Sequence, residues 1–165
     1  MSNFLKTTAL LIAFSTVQNL NAQTISAADQ KGVEECYNAF MSAFDKLDAA
    51  SMGAWFTENA EHISPMGEVV RGRNNLVTYY SKLFTFFKSQ PKPDKMERKN
   101  TNWQSRYLST DLILSTYVGE DISHFGDKTE SNTMSVAVLL RKTGGKWQAE
   151  LIALTPVAPM PAPGK

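Results

Sequence analysis

Between Trp55 and Arg73 the chain reads Trp-Phe-Thr-Glu-Asn-Ala-Glu-His-Ile-Ser-Pro-Met-Gly-Glu-Val-Val-Arg-Gly-Arg, and no other run constrains the fold as tightly. Ala60 to Ser64 alternate across a strand, which aims His62 and Ser64 to one side and Glu61 and Ile63 to the other. Pro65-Met66-Gly67 joins a fixed φ to a residue free to take positive φ, so a tight turn returns the chain along Glu68-Val69-Val70 as a partner strand. Gly72 ends that strand. Leu76, Tyr79, Tyr80, Leu83, Phe84 and Phe87 then recur at helical spacing, one apolar stripe of roughly four turns at 3.6 residues each. Pro91 and Pro93 stop it.

The segments on either side supply helices before this run and strands after it. Ser26 is placed as the N-cap of a first helix, with Asp29 where the helix dipole favours an acid, and Val33, Cys36, Tyr37, Phe40, Phe44 and Leu47 form its apolar stripe to an end near Lys46. Asp48 to Gly53 reads as a turn into a short second helix carrying Trp55 and Phe56. After Asp94 the period changes. Met96 to Leu108, Asp111 to Phe125, Ser131 to Lys142 and Lys146 to Thr155 are each long enough for a strand. Ser109-Thr110-Asp111, His124-Phe-Gly-Asp127 and Thr143-Gly-Gly-Lys146 are the hairpin turns between them. The last two strands are apolar on both faces, which calls for helices over one side and a second subunit over part of the other, hence a homodimer.

The ends are of a different character. After Lys6, Thr7 to Val17 is an apolar core of about a dozen residues, and Leu20-Asn21-Ala22 offers a small residue at a cleavage point, so residues 1–22 read as a secretory signal peptide and the protein as periplasmic or secreted. The apolar run falls short of the roughly 20 residues a membrane span needs. The tail from Pro156 to Lys165, with prolines at 156, 159, 161 and 163, reads as disordered or polyproline-like.

Charge and composition exclude several classes of function. Without residues 1–22 the 17 basic residues lose Lys6 and the 16 acidic residues lose none, which leaves a net charge near zero. Such a chain carries no nucleic-acid footprint, and the short cluster Lys88, Lys92, Lys95, Arg98 and Lys99, with Asp94 and Glu97 among it, reads as a solvated connection. Cys36 is the single cysteine, so no internal disulfide forms and stability rests on the core. Its place on the apolar stripe makes it a small buried hydrophobe rather than a nucleophile. His62 and His124 are the two histidines, with no short ligand spacing between them, and no metal or other cofactor is expected.

One family shares this order of parts. Phe56-Thr-Glu-Asn59-Ala60, Pro65-Met-Gly67 and Gly72-Arg73-Asn-Asn-Leu76 resemble the motif of the SnoaL-like members of the nuclear transport factor 2-like superfamily, and the later elements extend the likeness to about residue 155. The group nearest in character is the SgcJ/EcaC-like one, although the Trp-Val-Asn often seen on its first strand is His62-Ile63-Ser64 here. The resemblance implies an α+β fold over residues 23–155. Its form would be a cone-shaped α+β barrel with N-terminal helices packed on a curved, mainly antiparallel sheet, the short second helix closing one end of a cavity. Ketosteroid isomerase, a catalytic relative, keeps an Asp where this chain has Ser64 and an oxyanion-hole Tyr where it has Phe40. Its late-strand acid has no counterpart along Met134 to Leu140.

In such a cavity His62 is the candidate catalytic residue, because a neutral imidazole moves protons near pH 7, and Ser64 shares its face. Trp55, Tyr80, Trp103, Tyr107 and Tyr117 are the other candidate ligand-binding residues, each combining apolar surface with a polar tip, although plain core packing is the commoner role for any one of them. Two functions fit. The first is an exported accessory protein that binds a small hydrophobic molecule. The other is a cofactor-free enzyme of the polyketide cyclase, isomerase or dehydratase type that uses His62 for proton transfer, and a carboxylate such as Glu150 bonded to His62 would favour it.

Overall fold

The computed structural model describes residues 25–158. The elements run α1 (Ala27–Asp45), α2 (Ala49–Gly53), β1 (Phe56–Ile63), β2 (Val69–Arg71), α3 (Arg73–Ser89), β3 (Lys95–Ser109), β4 (Leu112–Phe125), β5 (Lys128–Thr143) and β6 (Lys146–Pro156). The six strands form one curved, unclosed sheet in the order β2-β1-β6-β5-β4-β3, antiparallel throughout except where β1 runs parallel to β6. The helices lie on its concave side, and this is the expected α+β cone. The signal-peptide segment, the cleavage point before Gln23 and the tail beyond residue 158 lie outside the described residues.

Local chemistry sets the element ends. The Ser26 hydroxyl accepts from the Asp29 N–H at 3.1 Å and caps α1 as its sequence predicts. Gly72 takes φ +85° and opens α3 directly from β2, and the next residue ties back, Arg73 donating through Nε and Nη2 to the Phe56 carbonyl at 3.0 and 2.7 Å. The turn after β1 is closed by Gly67 N–H to the Ser64 carbonyl at 2.9 Å and by the Ser64 hydroxyl, which accepts from the N–H groups of Met66 and Glu68 at 3.3 and 3.1 Å.

Three boundaries differ from expectation. The second helix stops at Gly53, so Trp55 and Phe56 do not ride on it; Phe56 already pairs with Ala149, and the Trp55 carbonyl accepts from Ala149 N–H at 2.7 Å, which draws β1 four residues further back than Ala60. The hairpin into β5 turns on Gly126 at φ +57°, and β5 starts at Lys128 because Phe125 and Lys128 still pair. Pro156 ends β6 opposite Met134, and the following Val157 donates its N–H to the Thr133 carbonyl at 3.0 Å.

Packing divides into two clusters. Phe56, Leu76, Tyr80, Phe84 and Met52 knit α2 and α3 to β1, while Val33 and Cys36 of α1 meet Ile113, Leu140 and Trp147. Burial of each large apolar side chain contributes about 1.5–3 kcal/mol. Contact between α1 and β6 is so close that a Cβ on Gly32 would sit 2.5 Å from Trp147 Cδ1. Beside it Asp29 accepts from Lys142 Nζ at 2.7 Å, Trp147 Nε1 at 2.9 Å and the Tyr107 hydroxyl at 2.6 Å, bonds that hold its carboxyl well below the usual carboxylate range.

Candidate functional site

The concave side of the sheet and the inner faces of α1 and α3 enclose a cavity of about 400 Å³. Strand pairing arranges its wall in rows. His62, Ile152, Val138, Ser115 and Ser105 stand side by side across five strands, and one step toward the mouth lie Leu154, Val136 and Tyr117. Further out come Met134, Gly119 and Asn100, then Asn132, Asp121 and Arg98. The interior is therefore apolar with a few fixed polar points, the usual constitution of a small-molecule site.

A bulge shapes one wall. Between Thr101 and Gln104 the register with β4 slips, Asn102 takes φ +56°, and Trp103 is brought flat against Tyr117, ring centroids 4.6 Å apart and planes 5° from parallel. Tyr37 of α1 meets the edge of Trp103 at 5.0 Å. Behind this wall Trp103 Nε1 donates to the Ser105 hydroxyl at 3.2 Å, and Ser105 pairs with Ser115 at 2.7 Å.

At the mouth Arg98 donates to Asp121 at 2.7 Å and to Asp45 of α1 at 3.1 Å, and Asn100 donates to the Tyr37 hydroxyl at 2.5 Å. The sequence marks Tyr37 only as part of the α1 stripe and Arg98 only as part of a solvated connection, whereas Arg98 lies on β3, paired with two aspartates; Asn100, Asp45 and Asp121 do not stand out in the sequence at all. Their facing depends on a β3–β4 register carrying two irregularities, which no period count reveals, although the alternation of Arg98 with Asn100 on one strand was a usable sign.

His62 occupies the deep row, only 1% exposed. Its ring lies 5.4 Å from that of Tyr79 and 5.5 Å from that of Tyr80. Burial pushes its pKa down to about 4, with the Ile152 backbone acting the other way, so the imidazole is neutral at physiological pH. Burial likewise drives the Tyr80 and Tyr117 phenols above their ordinary range. Cys36 also faces the cavity, and burial pushes its thiol up to about 12, which leaves it an unreactive lining group.

The residues singled out from sequence divide in two. His62, Tyr80, Trp103 and Tyr117 converge on the cavity. Ser64, Trp55 and Tyr107 stand outside its wall. Ser64 is spent on the turn that follows β1; Trp55 packs against the Val33–Trp147 cluster; and Tyr107 accepts from Ser26 N–H at 3.1 Å while donating to Asp29, a clasp on the start of α1. The parity that pairs Ser64 with His62 is present, but the strand ends at Ile63 and the turn claims the hydroxyl. Glu150 accepts from Thr57 at 2.8 Å and Arg141 at 3.1 Å rather than from His62. Among the described residues no three metal-ligating side chains cluster.

Comparison with known proteins places this architecture. Solved structures that superpose on it include Aln2 from Streptomyces (14% identity, TM-score 0.69, covering 81% of this chain and 94% of that one) and an NTF2-like protein of unknown function from Pseudomonas putida (15%, 0.68, 83% and 92%). A ketosteroid isomerase-like protein from Erwinia carotovora also superposes (17%, 0.62, 81% and 100%). At such identities the likeness is one of fold. No curated protein matches the sequence. The model of the SnoaL-like domain family matches residues 33–154, from the first buried residue of α1 to the wall of the cavity on β6, and the chain belongs to that family.

Proposed function

We propose that this protein is exported and binds a small apolar molecule in the cone, as a homodimer with an accessory rather than a catalytic role. The observation that carries this reading is the wall itself: a largely apolar enclosure of about 400 Å³ whose deep polar group, His62, is neutral and has no acid beside it. An enzyme using His62 as a base would need a partner to raise its affinity for a proton. Glu150, the carboxylate offered above as an example, is held by Thr57 and Arg141, and the neighbouring Tyr79 and Tyr80 phenols are made harder to ionise by burial. A pKa of about 4 makes a weak base at pH 7.

The support for pairing is on the convex face, where Leu114, Leu139 and Leu151 stand side by side between Arg106 and Glu61, with Ala137, Ala153 and Ile63 in the next row. An apolar centre with a polar rim is the anatomy of a subunit interface. Export rests on residues 1–22.

N-phenyl-1-naphthylamine, a neutral fluorescent probe, tests the binding reading. Saturable binding of one probe per chain is expected, and Val138→Trp, which fills the cavity from the middle of its deep row, should abolish it while the β-sheet circular dichroism persists. Binding that never saturates, or that survives the tryptophan, would refute the cavity as the site.

A further inference from the structure

Several of the polar groups along the cavity wall are already engaged. Arg98 is held by Asp121 and Asp45, Asn100 by Tyr37, and Ser115 by Ser105, which in turn takes the Trp103 indole N–H. Among the described residues, one buried side-chain nitrogen or oxygen has no hydrogen-bond partner, and it is Nδ1 of His62. This ring faces the cavity from its deepest polar row, and it is 1% exposed. A buried polar atom left unpaired costs about 1–3 kcal/mol, so a ligand that supplies its partner gains what the empty protein forgoes.

The chemistry of the site narrows that ligand. A neutral imidazole presents one donor and one acceptor nitrogen, and a hydroxyl, which both gives and takes a hydrogen bond, serves Nδ1 in either tautomer. A carboxylate would enter without a counter-charge, since the cation on the wall, Arg98, is shared between two aspartates. An ammonium would find Asp121 and Asp45 taken by the same arginine. Around His62 the remaining surface is aromatic or aliphatic: Tyr79, Tyr80, Ile152 and Val138.

We propose that the deep end of the cavity selects an uncharged molecule bearing one hydroxyl on an otherwise apolar frame, with that hydroxyl bonded to His62 Nδ1. The inference rests on the binding role given to the cavity, and it adds the class of ligand and the atom that recognises it.

The sequence contains two histidines, and His124 lies away from the cavity, bonded to Glu97 and Thr129, so it serves as an internal control. Protein labelled with [15N]histidine is titrated with naphthalene, 2-naphthol and 2-naphthoate. The expected result is that 2-naphthol binds roughly three- to tenfold more tightly than naphthalene, the yield of one added hydrogen bond. It should shift the His62 ring-nitrogen resonances and not those of His124, while 2-naphthoate binds worst. In His62→Leu the preference for 2-naphthol should vanish and naphthalene binding remain. Equal affinity for naphthalene and 2-naphthol, or a preference unchanged by His62→Leu, overturns this inference and leaves the apolar cavity standing, with water satisfying Nδ1. If neither compound binds, the cavity reading falls and this one with it. Should His62→Leu fail to fold, the wild-type titration decides alone, because the His62 resonances either respond selectively to the hydroxyl or do not.

Discussion

A histidine that stays neutral inside a fold leaves a thermodynamic trace. In the unfolded chain His62 titrates near its ordinary 6.5, and in the folded chain near 4. Between those values the unfolded state holds more protons, so stability is intact above pH 6.5 and falls as the pH drops toward 4. The full loss from this residue is about 3 kcal/mol, at up to 1.4 kcal/mol per pH unit. Urea denaturation at several pH values across that window should show the loss in the wild type and a flatter profile in His62→Leu; parallel profiles would mean that the ring protonates without penalty. Strand parity was enough to direct His62 inward from the sequence. It misjudged Ser64 because a hydroxyl at a strand end has nearby backbone N–H groups as competitors, and those were one turn away. Tyr107 was misread for a related reason, since its partner Asp29 is 78 residues distant and belongs to the cap of α1.

At the scale of elements, the seating of α1 on β6 depends on the missing side chain at Gly32. A methyl there would press 2.5 Å from Trp147 Cδ1, and the indole, buried and bonded to Asp29, has little room to yield. Gly32→Ala should therefore lose about 1–3 kcal/mol despite its better helix propensity, read as a fall in thermal midpoint. A gain in stability would show that helix and strand separate freely. Most elements were legible from local pattern: the Ser26 cap, the α3 stripe, and turn chemistry between the long strands all act within a few residues. Those that shifted were fixed by partners remote in sequence. Phe56 became a strand residue through Ala149, and the bulge at Asn102 answers to Tyr117 across the ladder.

For the whole molecule, the apolar rows of the convex face should decide assembly. With Leu114 and Leu151 on either side, Leu139→Glu places a charge at the centre of the proposed interface, and sedimentation should report a dimer for the wild type and a monomer for the variant at micromolar concentration. A wild-type monomer would refute the pairing. The pairing of β1 with β6 has another consequence, in time rather than space. Phe56 waits for Ala149 and His62 for Ile152, so the first strand made has no neighbour on its inner side until β3, β4 and β5 have been made and β6 follows. In a growing chain that edge of β1 stays open until β6 has been made. Under the export proposed above, that delay would keep the chain passable to a secretion channel until β6 has been made.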